Sequence, residues 1–136
     1  MLLVKTPIEF NMIDKLMNHL YIFLTILLAV AGQILMRWQA INLGSVPQGV
    51  AEKFTYLFNM ISNPWILLAF TFTALSGVTW LLAMTKFELS YAYPFVSLSY
   101  VLILLLAPLL LNETVSIYKI IGSLVIVLGI IVLSKG

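Results

Sequence analysis

Two polar side chains in the first long apolar run of this sequence would lie where lipid offers no water. Gln33 precedes Arg37 by four residues, so the amide and the guanidinium share one face of a helix. A guanidinium binds phosphate through paired hydrogen bonds, and an amide adds a further donor and acceptor. The pair therefore predicts an anion site. The alternative is that Arg37 extends to the lipid head groups while Gln33 bonds a neighbouring helix.

A second polar group lies in the third apolar run. Tyr93, Ser97 and Tyr100 recur at spacings of four and three residues, which places them on one helical face. Pro94 has no backbone N–H to give to the carbonyl four residues earlier, so it predicts a helix kink. A polar stripe beside a kink is typical of a substrate pathway, with hydrogen bonds between helices as the alternative. Trp80 is a further candidate for the cavity wall, although helix packing also explains it.

Two smaller features concern the ends and outer faces of the runs. Glu113 follows the third run on the side of the membrane where Arg37 ends the first, so we expect an ion pair that either fixes helix ends or couples protons. In the fourth run, small side chains allow two helices to approach closely, which predicts a dimer interface. Its residues are Gly122, Ser123 and Gly129.

Residues suited to catalysis are scarce. The chain has no cysteine and one histidine, His19, and its acidic residues form no cluster at metal-binding or acid–base spacing. We therefore predict a protein that is not an enzyme and that needs no metal and no cofactor. The formal charge of +2 comes from scattered residues without a basic run, which argues against nucleic acid as a partner.

The composition requires a membrane to position these groups. Hydrophobic residues make up 62% of the chain and charged residues 9%, with a mean hydropathy of +1.12. Four apolar runs have lengths close to a bilayer crossing and lack strand alternation, which predicts an all-α membrane protein with a bundle of four transmembrane helices. They span about 20–41, 65–85, 91–111 and 117–133. Because 15.2 kDa buries only a small core, we expect the bundle to dimerise.

Outside these runs, two segments carry apolar residues at helical spacing beside charges. We expect an N-terminal lead-in at residues 1–19, folded as an interfacial helix, ahead of a transmembrane domain at 20–136. A second interfacial helix is expected at about 50–62. Lysine and arginine divide four against three between the two sides, which favours a cytoplasmic N-terminus only weakly and leaves insertion in both directions open.

Four short motifs resemble the drug/metabolite transporter superfamily, in its four-helix branch that is similar to the small multidrug resistance proteins. They are Ala31–Arg37, Ala92–Ser97, Asn112-Glu113 and Gly122–Ile130. In the drug exporters of that branch, a glutamate three residues before the glycine matching Gly32 binds protons and cationic drugs in turn. Here Ala29 occupies that position. This departure argues against proton-coupled drug export.

The Gly32-Gln33 pair followed by a basic residue, together with the motif around Tyr93, looks more like the paired small subunits that flip undecaprenyl phosphate-linked aminoarabinose across the bacterial inner membrane. That resemblance implies a polyprenyl-phosphate sugar as cargo, with Arg37 on the phosphate and Gln33, Tyr93 and Ser97 on the polar head. It also implies pairing, either with a second copy or with a similar small subunit.

Two alternative functions stay open at this point. One is a related dimer that exports small organic cations, polyamines or metabolites, which would need negative charge in its cavity. The other is a non-transporting accessory subunit of a membrane glycosyltransferase, for which the apolar fourth run is equally natural.

Overall fold

The computed structural model describes residues 7–136, with side chains from residue 11 onward. Every regular element in this part of the chain is an α-helix, which confirms the predicted all-α class. The elements are α1 (Pro7–Leu43), α2 (Val50–Ile61), α3 (Pro64–Met84), α4 (Leu89–Val96), α5 (Leu98–Leu111) and α6 (Ile117–Leu133).

Helix α1 differs from the sequence expectation because it shows no boundary near residue 20. It runs unbroken for 37 residues, so positions 7–19 of the expected lead-in belong to the same helix as the first apolar run. The rest of that expected segment, residues 1–6, lies outside the described residues. No glycine or proline occurs between Pro7 and Gly32, so nothing interrupts the helix when the side chains turn polar. Gly44 ends it at a φ of +74°.

Helices α2 and α3 follow closely on one another. Asn63 caps α3 by accepting a hydrogen bond from the Trp65 amide, and Pro64 occupies the first helical position, where its missing N–H costs nothing. The same boundary ends α2, which buries none of its residues within the chain. The apolar residues of α2 therefore stand exposed beside the entrance to α3.

The third apolar run is divided into α4 and α5. Pro94 lies inside α4, and the helix stops at Ser97, whose amide turns back to the Pro94 carbonyl at 3.1 Å. The kink predicted for Pro94 is thus a break in the helix three residues further on. Together α4 and α5 span 23 residues and match a membrane crossing by length and composition, as do α1 and α3. Helix α6 is apolar but shorter, at 17 residues.

The main packing interface joins α1 and α3, which run antiparallel. On α3 the buried Ala69, Ser76 and Ala83 recur every seven residues, and on α1 the buried Thr25 and Gly32 are also seven residues apart. Repeats of seven keep small side chains in register along two crossing helices, so the backbones approach closely. We call this contact the small-residue seam. Helices α4 and α5 pack against α1 at its side, and α6 lies against α4 and α5.

Candidate functional site

A cleft between α1 and α5 collects the charged residues near one end of these helices. Gln33 and Arg37 line it from α1, and Glu113 closes it from the segment after α5. Its volume is about 270 Å³, and its apolar walls are Ile34, Ile103, Ala107 and Leu111. We call it the arginine cleft. It combines one cation, one anion and one amide with apolar walls.

The structure pairs Arg37 with Glu113 across the arginine cleft. The Arg37 Nε donates a hydrogen bond to Glu113 Oε1 at 2.9 Å, with side chains 58% and 35% exposed, respectively. A guanidinium has five N–H donors, and a single carboxylate covers at most one edge of it. The remaining donors of Arg37 are therefore accessible to another anion.

Asn112 determines where Glu113 points. It ends α5 at φ 52°, in the left-handed region that asparagine tolerates better than most residues. The Glu113 amide then reaches back to the Ala107 carbonyl at 3.4 Å. The reversed backbone directs the carboxylate toward α1 instead of continuing along the axis of α5.

Glu113 also borders a second, smaller cleft on the α6 side of α5. This lysine cleft holds about 190 Å³ and is lined by Tyr100 and Lys119 among others. The Lys119 ammonium donates to the Thr114 carbonyl at 3.3 Å. Glu113 thus borders two clefts that each contain a cationic side chain.

A long apolar groove adjoins the arginine cleft. It has a volume of about 620 Å³ and runs between α1, α3 and α5, with Ile34 and Leu111 as walls common to both spaces. Leucines dominate its surface, together with Trp38 and Phe72. We call it the leucine groove. A molecule that fills both spaces needs a polar end and an apolar chain.

The remaining predicted substrate residues do not join the arginine cleft. Tyr100 lies in the lysine cleft, while Trp80 and Tyr93 meet edge to face with ring centroids 6.1 Å apart. The Ser97 hydroxyl donates to the Pro94 carbonyl of its own helix break. Tyr93 is 65% exposed, so its hydroxyl is open to a ligand. The predicted residues therefore form separate groups on α1, α3, α4 and α5, not one cavity.

The residues predicted for a dimer interface separate in the same way. Gly122 and Gly129 face outward, and an added Cβ at either position would meet nothing within 4 Å. Ser123 is buried and lines a space between α5 and α6, where its hydroxyl donates to the Lys119 carbonyl at 2.8 Å. Ser123 therefore belongs to packing within the chain, since it follows Gly122 by one residue and so points in a different direction.

Sequence reasoning did not predict the small-residue seam. The Thr25 hydroxyl lies 2.8 Å from the Thr79 hydroxyl across it. The Thr25 hydroxyl also donates to the Tyr21 carbonyl, and the Thr79 hydroxyl to the Ser76 carbonyl. Two hydroxyl protons are therefore shared among three hydrogen-bond contacts. The seven-residue repeat of small side chains could have revealed the seam.

A third group lies at the end of the helices remote from Arg37. His19 Nε2 is 3.2 Å from the Tyr91 hydroxyl, and its Nδ1 is 2.7 Å from the Lys15 carbonyl, which can only accept. Phe87 packs edge to face on the imidazole. These contacts tie α1 to the start of α4. Among the described residues, no three acidic, histidine or cysteine side chains group closely enough to hold a metal ion.

Three long apolar helices, a shorter fourth, and a charged cleft beside an apolar groove define a small multi-pass membrane protein. The chain is 34% identical over 121 residues to a probable 4-amino-4-deoxy-L-arabinose-phosphoundecaprenol flippase subunit ArnF of Erwinia tasmaniensis, covering 86% of this chain and 94% of that protein. It is 32% identical over 125 residues to the subunit so named in Proteus mirabilis, covering 87% and 92%. The chain therefore belongs to the family of ArnF-type flippase subunits.

A probable ArnE subunit of the same kind of flippase, from Pseudomonas aeruginosa, is 33% identical over 75 residues, which is 55% of this chain and 65% of that protein. These relatives confirm the resemblance seen in the sequence motifs, and their names describe transporter subunits rather than enzymes. No family model matches the chain. No solved structure matches it either.

Proposed function

We propose that this chain is a subunit of a flippase that moves a polyprenyl-phosphate-linked amino sugar across the inner membrane. One observation carries the proposal: the arginine cleft and the leucine groove lie next to each other and share Ile34 and Leu111 as lining residues. A lipid-linked sugar has a charged head joined to a long hydrocarbon chain. The two spaces offer a place for each part, side by side.

The chemistry of the arginine cleft suits a phosphodiester. The exposed donors of Arg37 can bind two phosphate oxygens, and the exposed Gln33 amide adds a hydrogen bond one turn away. Such a contact is strong because hydrocarbon surrounds it and little water competes. The tail remains in the leucine groove or in the adjoining lipid, so only the head group has to cross.

A path for the head group continues toward Tyr93 and Trp80. Tyr93 presents an exposed hydroxyl, and its ring leans against Trp80, an arrangement that suits a sugar with one polar edge and one apolar face. The break at Ser97 divides this path from the arginine cleft. A discontinuous helix gives two segments that can change their angle, as transport through alternating access requires.

The working unit is a pair of such chains, each a bundle of four crossing helices. The relatives are named as subunits, and the outer face of α6 exposes Gly122 and Gly129. Small residues on an outer face allow a second helix to pack closely in lipid. A sister subunit of the same size or a second copy of this chain fits there.

Transport in proteoliposomes tests the function. The chain, alone or with its sister subunit, is reconstituted with a fluorescent polyprenyl-phosphate amino sugar, and the fraction of lipid reaching the opposite leaflet is measured. Arg37→Ala should lower transport by at least about tenfold, since a charge-assisted bidentate contact is lost. Lys53→Ala, an exposed cation on α2 at the same end of the bundle, is the matched control and should transport normally.

Three results would overturn the proposal. The first is a wild-type protein that flips no lipid, alone or with its sister. The second is normal transport by both Arg37→Ala and Tyr93→Ala. The third is copurification with a membrane glycosyltransferase in the absence of transport, which would favour the accessory role. A proton flux driven by a cationic drug would favour cation export instead.

A further inference from the structure

The structure assigns a second role in the same cleft, and this inference rests on the proposed function: we propose that Glu113 recognises the positively charged amino group of the cargo. Arg37 and Glu113 would then bind the phosphate and the ammonium, respectively, of a zwitterionic head group. Polyprenyl-phosphate lipids that lack an amine would be poorer cargo.

The starting point is the pairing of charges within the cleft. Arg37 Nε and Glu113 Oε1 are 2.9 Å apart, so the two charges of the cleft compensate each other. A cargo carrying only a phosphate could reach Arg37 only beside the carboxylate, which repels it. A cargo carrying a phosphate and an ammonium removes this conflict, because each of its charges meets an opposite one.

The geometry allows this exchange of partners. Both side chains are accessible, and Glu113 sits on the short non-helical segment between α5 and α6, where its carboxylate can move a short distance without unwinding a helix. The apolar walls Ile103, Ala107 and Leu111 line the same cleft beside the pair. When the ion pair between Arg37 and Glu113 opens, Arg37 binds the phosphate of the cargo and Glu113 binds its ammonium group. Every charge therefore still has an opposite partner.

Lys119 strengthens the assignment. It lines the lysine cleft together with Glu113, so the carboxylate residue borders two clefts that each contain a cation. If the region served only to bind phosphate, an anionic residue bordering both clefts would weaken it. Its position is understandable if the carboxylate itself has a ligand in the cargo.

The test compares two lipids that differ in a single group. One is a polyprenyl-phosphate 4-amino-4-deoxyarabinose, and the other carries a hydroxyl in place of the amine. Binding to the purified protein in nanodiscs, with its sister subunit if the pair is required, is measured by competition. The wild type should prefer the amino lipid by about tenfold, the value of one charge-assisted contact.

Glu113→Gln should reduce that preference to about twofold or less, while binding of the hydroxyl lipid stays equal or improves because repulsion of the phosphate is gone. Glu113→Asp keeps the carboxylate and should retain a clear preference, which tests the idea even if the glutamine variant folds poorly. Glu52→Gln, the same change on α2 outside the cleft, is the matched control and should behave as wild type.

The outcomes separate this inference from the proposed function. An unchanged preference in Glu113→Gln, or an equal loss of both lipids, would show that Glu113 only positions Arg37 and would overturn the inference. Equal binding of both lipids by the wild type would do the same while leaving the flippase proposal intact. Binding of neither lipid by the wild type would instead count against the proposed function.

Discussion

The small-residue seam and helix α6 use the same kinds of residue in opposite ways. Along the seam, a Cβ added to Gly32 would lie 2.9 Å from Thr73 Oγ1 and 3.0 Å from the Ala69 carbonyl oxygen. On α6, Gly122 and Gly129 have nothing within 4 Å of such an atom. Glycine therefore occurs in two settings in these helices: at a close contact between two helices, and on a face that meets no other described residue.

The difference indicates where the helices pack most closely. Helices α1 and α3 are held together by close backbone contact and an interhelical hydroxyl pair. Helix α6 follows the other half of the fold, α4 and α5, which is itself broken at Ser97. The cleft between α1 and α5 lies between these two halves, where relative motion would open or close it.

The largest effect is expected from filling the seam. Gly32→Ala should lower the free energy of unfolding by about 2 kcal/mol, because the Ala69 carbonyl is backbone and cannot rotate away as a side chain can. Thermal unfolding in detergent measures it. Gly77→Ala, on the open side of α3, is the control and should be neutral or slightly stabilising. Equal losses in both variants would contradict the seam.

The turn between α5 and α6 should be next in size. Asn112→Ala places a less tolerant residue at φ 52°, so we expect a loss of about 1 kcal/mol and weaker binding of the amino lipid as Glu113 turns away from Arg37. Asn112→Gly removes the side chain without the strain and should keep most of the stability. If glycine and alanine are equally harmful, the asparagine side chain matters rather than its backbone.

A smaller effect is expected from the hydroxyl pair. Thr25→Val should cost about 0.6 kcal/mol, typical of a single hydrogen bond between membrane helices. The loss is modest because the two protons are already divided among three contacts. A double-mutant cycle with Thr79→Val isolates the coupling, and additive losses would mean that the two hydroxyls are near each other without bonding.

The smallest effect on unfolding is expected on α6. Gly129→Leu should change the stability of the single chain by less than about 0.5 kcal/mol, since its outer face is open. The same variant should lose association in detergent, measured by the concentration dependence of crosslinking. If Gly129→Leu instead lowered the stability of the single chain and left association intact, Gly129 would be a packing contact within the chain, as Gly32 is. That result would contradict the comparison between α6 and the seam.

The elements of this fold that depend on hydropathy were predictable from the sequence. Helix α3 at Pro64–Met84 lies within a residue of the expected 65–85, and α6 begins at the expected residue 117. The start of α1 was not predictable in this way, because hydropathy marks the depth of a residue in lipid and not the end of a helix. Polar residues such as Asp14 and Lys15 leave the hydrocarbon without leaving the helix.

The site could be predicted only in part. A helical turn relates Gln33 to Arg37, so their common cleft follows from spacing. The direction of Glu113 depends on the left-handed backbone at Asn112, and the separation of Tyr100 from Tyr93 depends on the break at Ser97. At both places the backbone departs from an ideal helix, so residue spacing alone does not predict where the side chains point.

The continuous course of α1 has a mechanical consequence. At 37 residues it is about 56 Å long, well beyond the roughly 30 Å of the hydrocarbon layer. Arg37 lies near one end of this rod, and Asp14 lies far along toward the other. A tilt that opens the cleft by a small angle swings the distant tip through a larger arc. A spin label near Asp14 would thus report small changes in the tilt of the helix that carries Arg37 as larger displacements.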